Sequence, residues 1–301
     1  MAARVDTMVV TTGTTTTGVP TKGTAHRAPQ PLHPTGERRV ALLLVLVAGW
    51  TWGLLWLARS SGDLLPGPVS GGLRFLAALG PLVVTHLLMR RTLAHEQRSW
   101  FWRRYIEVRS VSRGWWAATT ALAGGPPLVA FLVDGSGAGT GWLGGLVLIL
   151  GAAAMGLIQE AAWRGYAWDG LRPRPLVGTA LIWAGWVLWA VAWPVIGGLE
   201  GLHGISGGWA GWAVLAAALL PQSLLMGWIT VRVRPCLTPA ALFDGLVLAM
   251  WGLTDVGNRG RMIEIVLWWV AAVPVIISWT TSPGAAAGPR PGRSLVGGSA
   301  G

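Results

Sequence analysis

The chain has 301 residues, of which 52% are apolar and only 12% charged. A soluble globular domain is about a quarter charged. The mean hydropathy of +0.53 and several apolar runs long enough for a bilayer exclude that class. The net charge of +11 does not imply nucleic acid, because most Arg residues fall in the connections between apolar runs, the pattern that orients membrane helices. A single cysteine, Cys236, excludes an intrachain disulfide and a four-cysteine metal site.

In chain order, residues 1–38 are polar and rich in Thr, Pro and Gly, with no apolar signal core. They read as a disordered cytoplasmic tail. Apolar runs then predict helices at 40–58, 72–90, 115–133, 142–168, 176–197, 209–230, 239–254 and 263–280, punctuated by Gly, Pro and Arg. This is an all-α membrane protein of about eight transmembrane helices over residues 39–280. The Gly- and Pro-rich residues 281–301 read as a second cytoplasmic tail.

Eight spans put Arg38, Arg39, Arg90, Arg91, Arg98, Arg103, Arg104, Arg109, Arg113, Arg172, Arg174, Arg232, Arg234, Arg290 and Arg293 on one side. The other side carries Arg59, Arg259 and Arg261. By the positive-inside tendency both termini face the cytoplasm of a multi-pass cell-membrane protein. Ser99–Trp116 mixes aromatic residues with four Arg and predicts an interfacial amphipathic helix among the lipid headgroups. Trp50, Trp52, Trp142, Trp209, Trp268, Trp269 and Trp279, near span ends, read as an aromatic belt. The small residues Gly144, Gly145, Gly151–Ala154 and Gly156 predict close helix approach. His86, inside the second span, reads as a satisfied core histidine, and His203 as a loop histidine beside Glu200.

The chemistry concentrates in Gln159-Glu160-Ala161-Ala162-Trp163-Arg164-Gly165-Tyr166. An acid and a guanidinium at membrane depth are costly unless paired or hydrated. Glu160 and Arg164 are four apart with the acid first, the favourable order. They read either as a structural ion pair or as part of a site. Asp244, in the seventh predicted span, is a second intramembrane acid. It reads as a partner for Arg164 or as an acid-base group paired with Glu160. Glu160, Asp244 and His86 are too few and too scattered for a metal site, and no cofactor is expected.

Gln159–Tyr166, with Leu171-Arg172, resembles the first motif of the CPBP family, the type II CAAX prenyl endopeptidases and bacteriocin-processing or immunity proteins. That motif reads Glu-Glu-x-x-x-Arg, commonly followed by Gly-Tyr. Leu188–Pro194 is similar to the second motif, an aromatic, three residues, then His-x-Pro. Leu224–Ile229 and Pro239–Asp244 are similar to the third, a Pro-Ala run leading to His with Asn four later. The resemblance covers about residues 142–255. It implies a helical bundle that cleaves membrane-bound or prenylated peptides with activated water. In such a site, the first Glu and a His activate the water while a second His and the Asn hold the oxyanion.

The matching positions here are Gln159, Ala192, Asp244 and Leu248. An amide cannot take a proton from water, Ala192 offers no base, and an ionised Asp244 repels an oxyanion. Glu160 and Arg164 match the motif. Glu160 points about 100° away from Gln159 around a regular helix, so it becomes a base only if the helical register shifts. The expectation is a catalytically impaired homologue that binds membrane peptides or proteins. The alternatives are an active endopeptidase using Glu160, Arg164 and Asp244, or a small membrane transporter. Membrane lipid is the expected surrounding partner.

Overall fold

A computed structural model describes residues 36–61, 66–137, 141–171, 174–196, 209–233 and 236–281. The expectations for both tails, Glu200 and His203 lie outside these residues. The helices are α1 (Glu37–Ser60), α2 (Gly67–Ala78), α3 (Gly80–Thr92), α4 (His95–Ile106), α5 (Arg113–Asp134), α6 (Gly141–Glu160), α7 (Trp168–Leu171), α8 (Pro175–Val195), α9 (Trp209–Arg232), α10 (Thr238–Leu253) and α11 (Asn258–Thr281). A π-helical segment, Ala161–Ala167, joins α6 to α7, making one apolar stretch of 31 residues.

Six of the described helical stretches are long and apolar enough to cross a bilayer, and the chain is a membrane-embedded helical protein. The expected second span is broken: α2 and α3 meet at Leu79 with a bend of 54°, and they count as a seventh crossing only if taken together. Pro81 at the start of α3 lacks an amide hydrogen, which favours a new helix start there. The expected seventh span, α10, has 16 residues. At 1.5 Å per residue it extends about 24 Å, short of a hydrocarbon core of about 30 Å. Eight full-length crossings are therefore not what the described helices provide. The fold also departs from all-α at one point: Gly135–Gly137 (β1) pairs antiparallel with Thr254–Val256 (β2).

α10 is enclosed by α5, α6 and α9, while α11 packs on α5 and α9. α8 packs on α9 and on α1, and α1 also carries α2 and α3. The α6–α10 crossing is close because both helices present glycine. A Cβ on Gly156 would collide with the Ala241 carbonyl and lie 2.8 Å from Gly245 N, and one on Gly245 would lie 3.1 Å from Ala152 O. In lipid, where apolar burial drives little association, such close backbone packing is what holds helices together.

The Arg-rich connections gather at one end of the bundle. Arg174 at the start of α8 meets Glu37 at the start of α1 at 2.8 Å. Arg104 of α4 meets Asp169 of α7 at 2.6 Å. The opposite end holds the β1–β2 pair and the contact of Arg59 Nη1 with the Val195 carbonyl, 2.8 Å.

α4 is not the single interfacial helix expected over Ser99–Trp116. It ends at Ile106, a 3₁₀ turn follows at Val108–Ser110, and Trp115 and Trp116 belong to α5. Its Phe101 and Arg104 are buried, because Phe101 fits over Gly165 and Arg104 has Asp169 as an anionic partner. α4 therefore closes the Arg-rich end instead of floating on it. The aromatic belt also needs correction. Trp268 and Trp279 are core residues, and Trp50 and Trp52 donate to the carbonyls of Leu76 (2.8 Å) and Leu188 (3.0 Å), tying α1 to α2 and α8. Trp142 stays 82% exposed, as a belt residue would.

Candidate functional site

Gln159, Asp244 and Leu248 come together. They line a cavity of about 670 Å³ between α6 and α10 on one side and α8 and α9 on the other, with Ala78 at its edge. Four tryptophans, Trp186, Trp189, Trp193 and Trp251, share the wall, together with Gln222 of α9. The close α6–α10 crossing sets Asp244, beside Gly245, in the same cavity wall as Gln159. Ala192 is fully buried but does not line the cavity, its neighbours Trp189 and Trp193 doing so instead.

The cavity runs along the bundle from beside the β1–β2 pair to Gln159. Its wall on α6 runs from Val147 to Gln159, on α8 from Trp186 to Trp193, and on α10 from Asp244 to Gly252. On α6 the wall reaches the last turn, on α8 it occupies the C-terminal half, and on α10 it starts near the middle. Beyond Gln159, α4 and the π-helical segment fill the space, all seven residues Ala161–Ala167 being buried.

Glu160 and Arg164 sit in that filled end, outside the cavity wall. Both are fully buried. Their closest approach is 3.9 Å, from Arg164 Nε to Glu160 Oε2, too long for a hydrogen bond. The widened turn that begins right after Glu160 spreads the i,i+4 spacing of a regular helix. Arg164 Nη2 instead donates to the Ser223 carbonyl (3.2 Å) and Oγ (3.0 Å), and Ser223 Oγ donates to the Thr179 carbonyl (3.3 Å). Arg164 thus fastens α9 and α8 to the π segment. Both oxygens of Glu160 lack a hydrogen-bond partner. The Tyr105 hydroxyl of α4 lies close by. Burial pushes this phenol well above its ordinary value, and the Glu160 carboxylate adds to the rise.

Asp244 forms no salt bridge with Arg164 among the described residues, so the sharing of Arg164 by two acids is limited to longer-range attraction. The charges of Glu160, Arg164 and Asp244 nonetheless act on one another. Asp244 is 2% exposed and its Oδ2 has no hydrogen-bond partner. Gln159 Oε1 accepts from the Trp186 indole at 2.9 Å. His86 is exposed, its ring centroid 6.4 Å from that of Trp102, and is not a core histidine. Among the described residues no cluster of three or more metal-binding side chains occurs.

Two contributors escaped the sequence reading. Gln222 and Ser223 interrupt the apolar run of α9 directly after Pro221, and both are fully buried. Polar side chains in the middle of an apolar run were the available signal. The second is Glu264 of α11, which is buried, accepts from Arg261 at 2.6 Å and from the Trp251 indole at 2.7 Å, and so orients one wall of the cavity. No protein-family model and no characterised protein matches the sequence.

Proposed function

We propose that this protein is a CPBP-like membrane protein with an impaired proteolytic centre, which binds a short segment of a membrane peptide or protein in its tryptophan-lined cavity. One observation carries the binding reading. The cavity wall is mostly apolar, yet holds buried polar groups without partners: the indole N–H groups of Trp189 and Trp193, both ends of the Gln222 amide, and Asp244 Oδ2. Unpaired buried donors and acceptors cost free energy, and their concentration around one cavity points to a ligand that supplies both. A peptide backbone offers a carbonyl for the indoles and an N–H for the acid and amide. The volume, about 670 Å³, lies within the usual range for ligand cavities and suits a few residues, not a whole helix.

The impaired centre follows from Gln159 and Leu248, which bring neither base nor amide donor to the places where the family's pattern has them. Glu160 stays outside the cavity wall. By the positive-inside tendency the Arg-rich end faces the cytoplasm.

The test is cleavage alongside binding. The protein in detergent is offered prenylated and membrane-spanning peptides; retention of peptide without product is expected. Product that vanishes in Glu160→Ala or Asp244→Ala would instead establish an active two-carboxylate endopeptidase.

A further inference from the structure

The cavity's electrostatics specify more about its ligand than its shape does. The intramembrane group of Glu160, Asp244 and Arg164 holds two acids and one base. Of the three, Arg164 is bonded to Ser223 and stands 3.9 Å from Glu160, whereas Asp244 alone lines the cavity. An uncompensated acid in a low-dielectric setting is expensive, and a bound positive charge relieves it.

The aromatic wall points the same way. Tryptophan faces attract cations, most strongly where water is excluded. The chain's own cations already use two of these rings: the Arg164 guanidinium carbon lies 6.0 Å from the Trp186 ring centroid, and that of Arg261 lies 5.4 Å from Trp251. Trp189 and Trp193 pack edge to face at 5.9 Å, and among the described residues no cation stands over either.

We infer that the cavity selects segments carrying a positive charge, a lysine or arginine side chain flanked by apolar residues, with the cation held by Asp244 and the rings of Trp189 and Trp193 that line the wall. This rests on the cavity being a peptide-binding site. The flanking apolar side chains occupy the wall formed by Met155, Leu215, Leu219 and Val247.

The experiment uses the full chain in lipid nanodiscs and dye-labelled, end-capped tripeptides of sequence leucine-X-leucine, read by fluorescence anisotropy. X is lysine, norleucine or glutamate. Lysine is expected to bind at least about tenfold more tightly than norleucine, the scale of a desolvated cation–π contact, with glutamate the weakest. Asp244→Asn is expected to reduce the lysine preference to what the tryptophans alone supply and Asp244→Glu to keep it in full. Equal affinity for all three peptides would overturn the charge selectivity and leave the peptide-binding reading standing. No binding of any peptide to the native chain would overturn both. The native series decides the matter even if a variant fails to fold.

Discussion

The Arg-rich end and the cavity hold polar groups in lipid in different ways. At the Arg-rich end, Arg104 pairs with Asp169 and Arg164 with Ser223, both Glu160 oxygens stay without a hydrogen-bond partner, and the π segment and α4 leave no room for a ligand. Around the cavity, Asp244, Gln222, Trp189 and Trp193 surround open space with polar atoms that have no hydrogen-bond partner among the described residues. The first region is filled by the chain itself, and the second keeps a void. The same residue types therefore mean different things in the two regions.

That contrast can be broken experimentally. The largest effect is expected from Arg164→Met, which removes the tie to Ser223 and leaves Glu160 buried without its cation. A loss of about 3–5 kcal/mol in detergent-denaturation free energy is expected, the scale of breaking a buried ion pair. Gly156→Leu comes next, at about 1–3 kcal/mol, because the side chain forces apart the α6–α10 crossing. Trp50→Phe removes the hydrogen bond to the Leu76 carbonyl and should cost about 1 kcal/mol by the same measurement. Asp244→Asn is expected to cost no stability, since no hydrogen bond is lost and an unpaired buried acid is removed. A loss at Asp244 as large as that at Arg164 would mean that the two regions are one structural unit and the contrast is false.

Much of the architecture was legible in the sequence. Long apolar runs bounded by Gly, Pro and Arg mark helices because lipid offers the backbone no other way to satisfy its hydrogen bonds. Gly156 was read as a close-packing position, and it is one. What escaped depends on contacts far apart in the chain. Nothing local in Trp268 separates a core indole from a belt indole. Arg104 sits in a segment that reads as headgroup-seeking until Asp169 is found beside it. The π turn after Glu160 is equally hidden: its seven residues would suit an ordinary helix, and packing against Phe101 accompanies the wider geometry. At the candidate site, Gln159, Asp244 and Leu248 line one cavity as the motif resemblance led one to expect, whereas the exclusion of Glu160, Arg164 and Ala192 from its wall was not legible. Side-chain volume at each end decides where space remains, and that is a property of the assembled bundle.

The brevity of α10 has a further consequence. A helix too short for the bilayer ordinarily slides or tilts to keep its ends wet. Here each end is tethered: Thr238 Oγ1 bonds the Tyr105 carbonyl and Leu237 N the Arg104 carbonyl, while Thr254–Val256 is stitched to Gly135–Gly137. The segment behaves as a ruler fastened at both tips. The carboxylate it carries is thereby kept at one depth, whatever the thickness of the surrounding lipid.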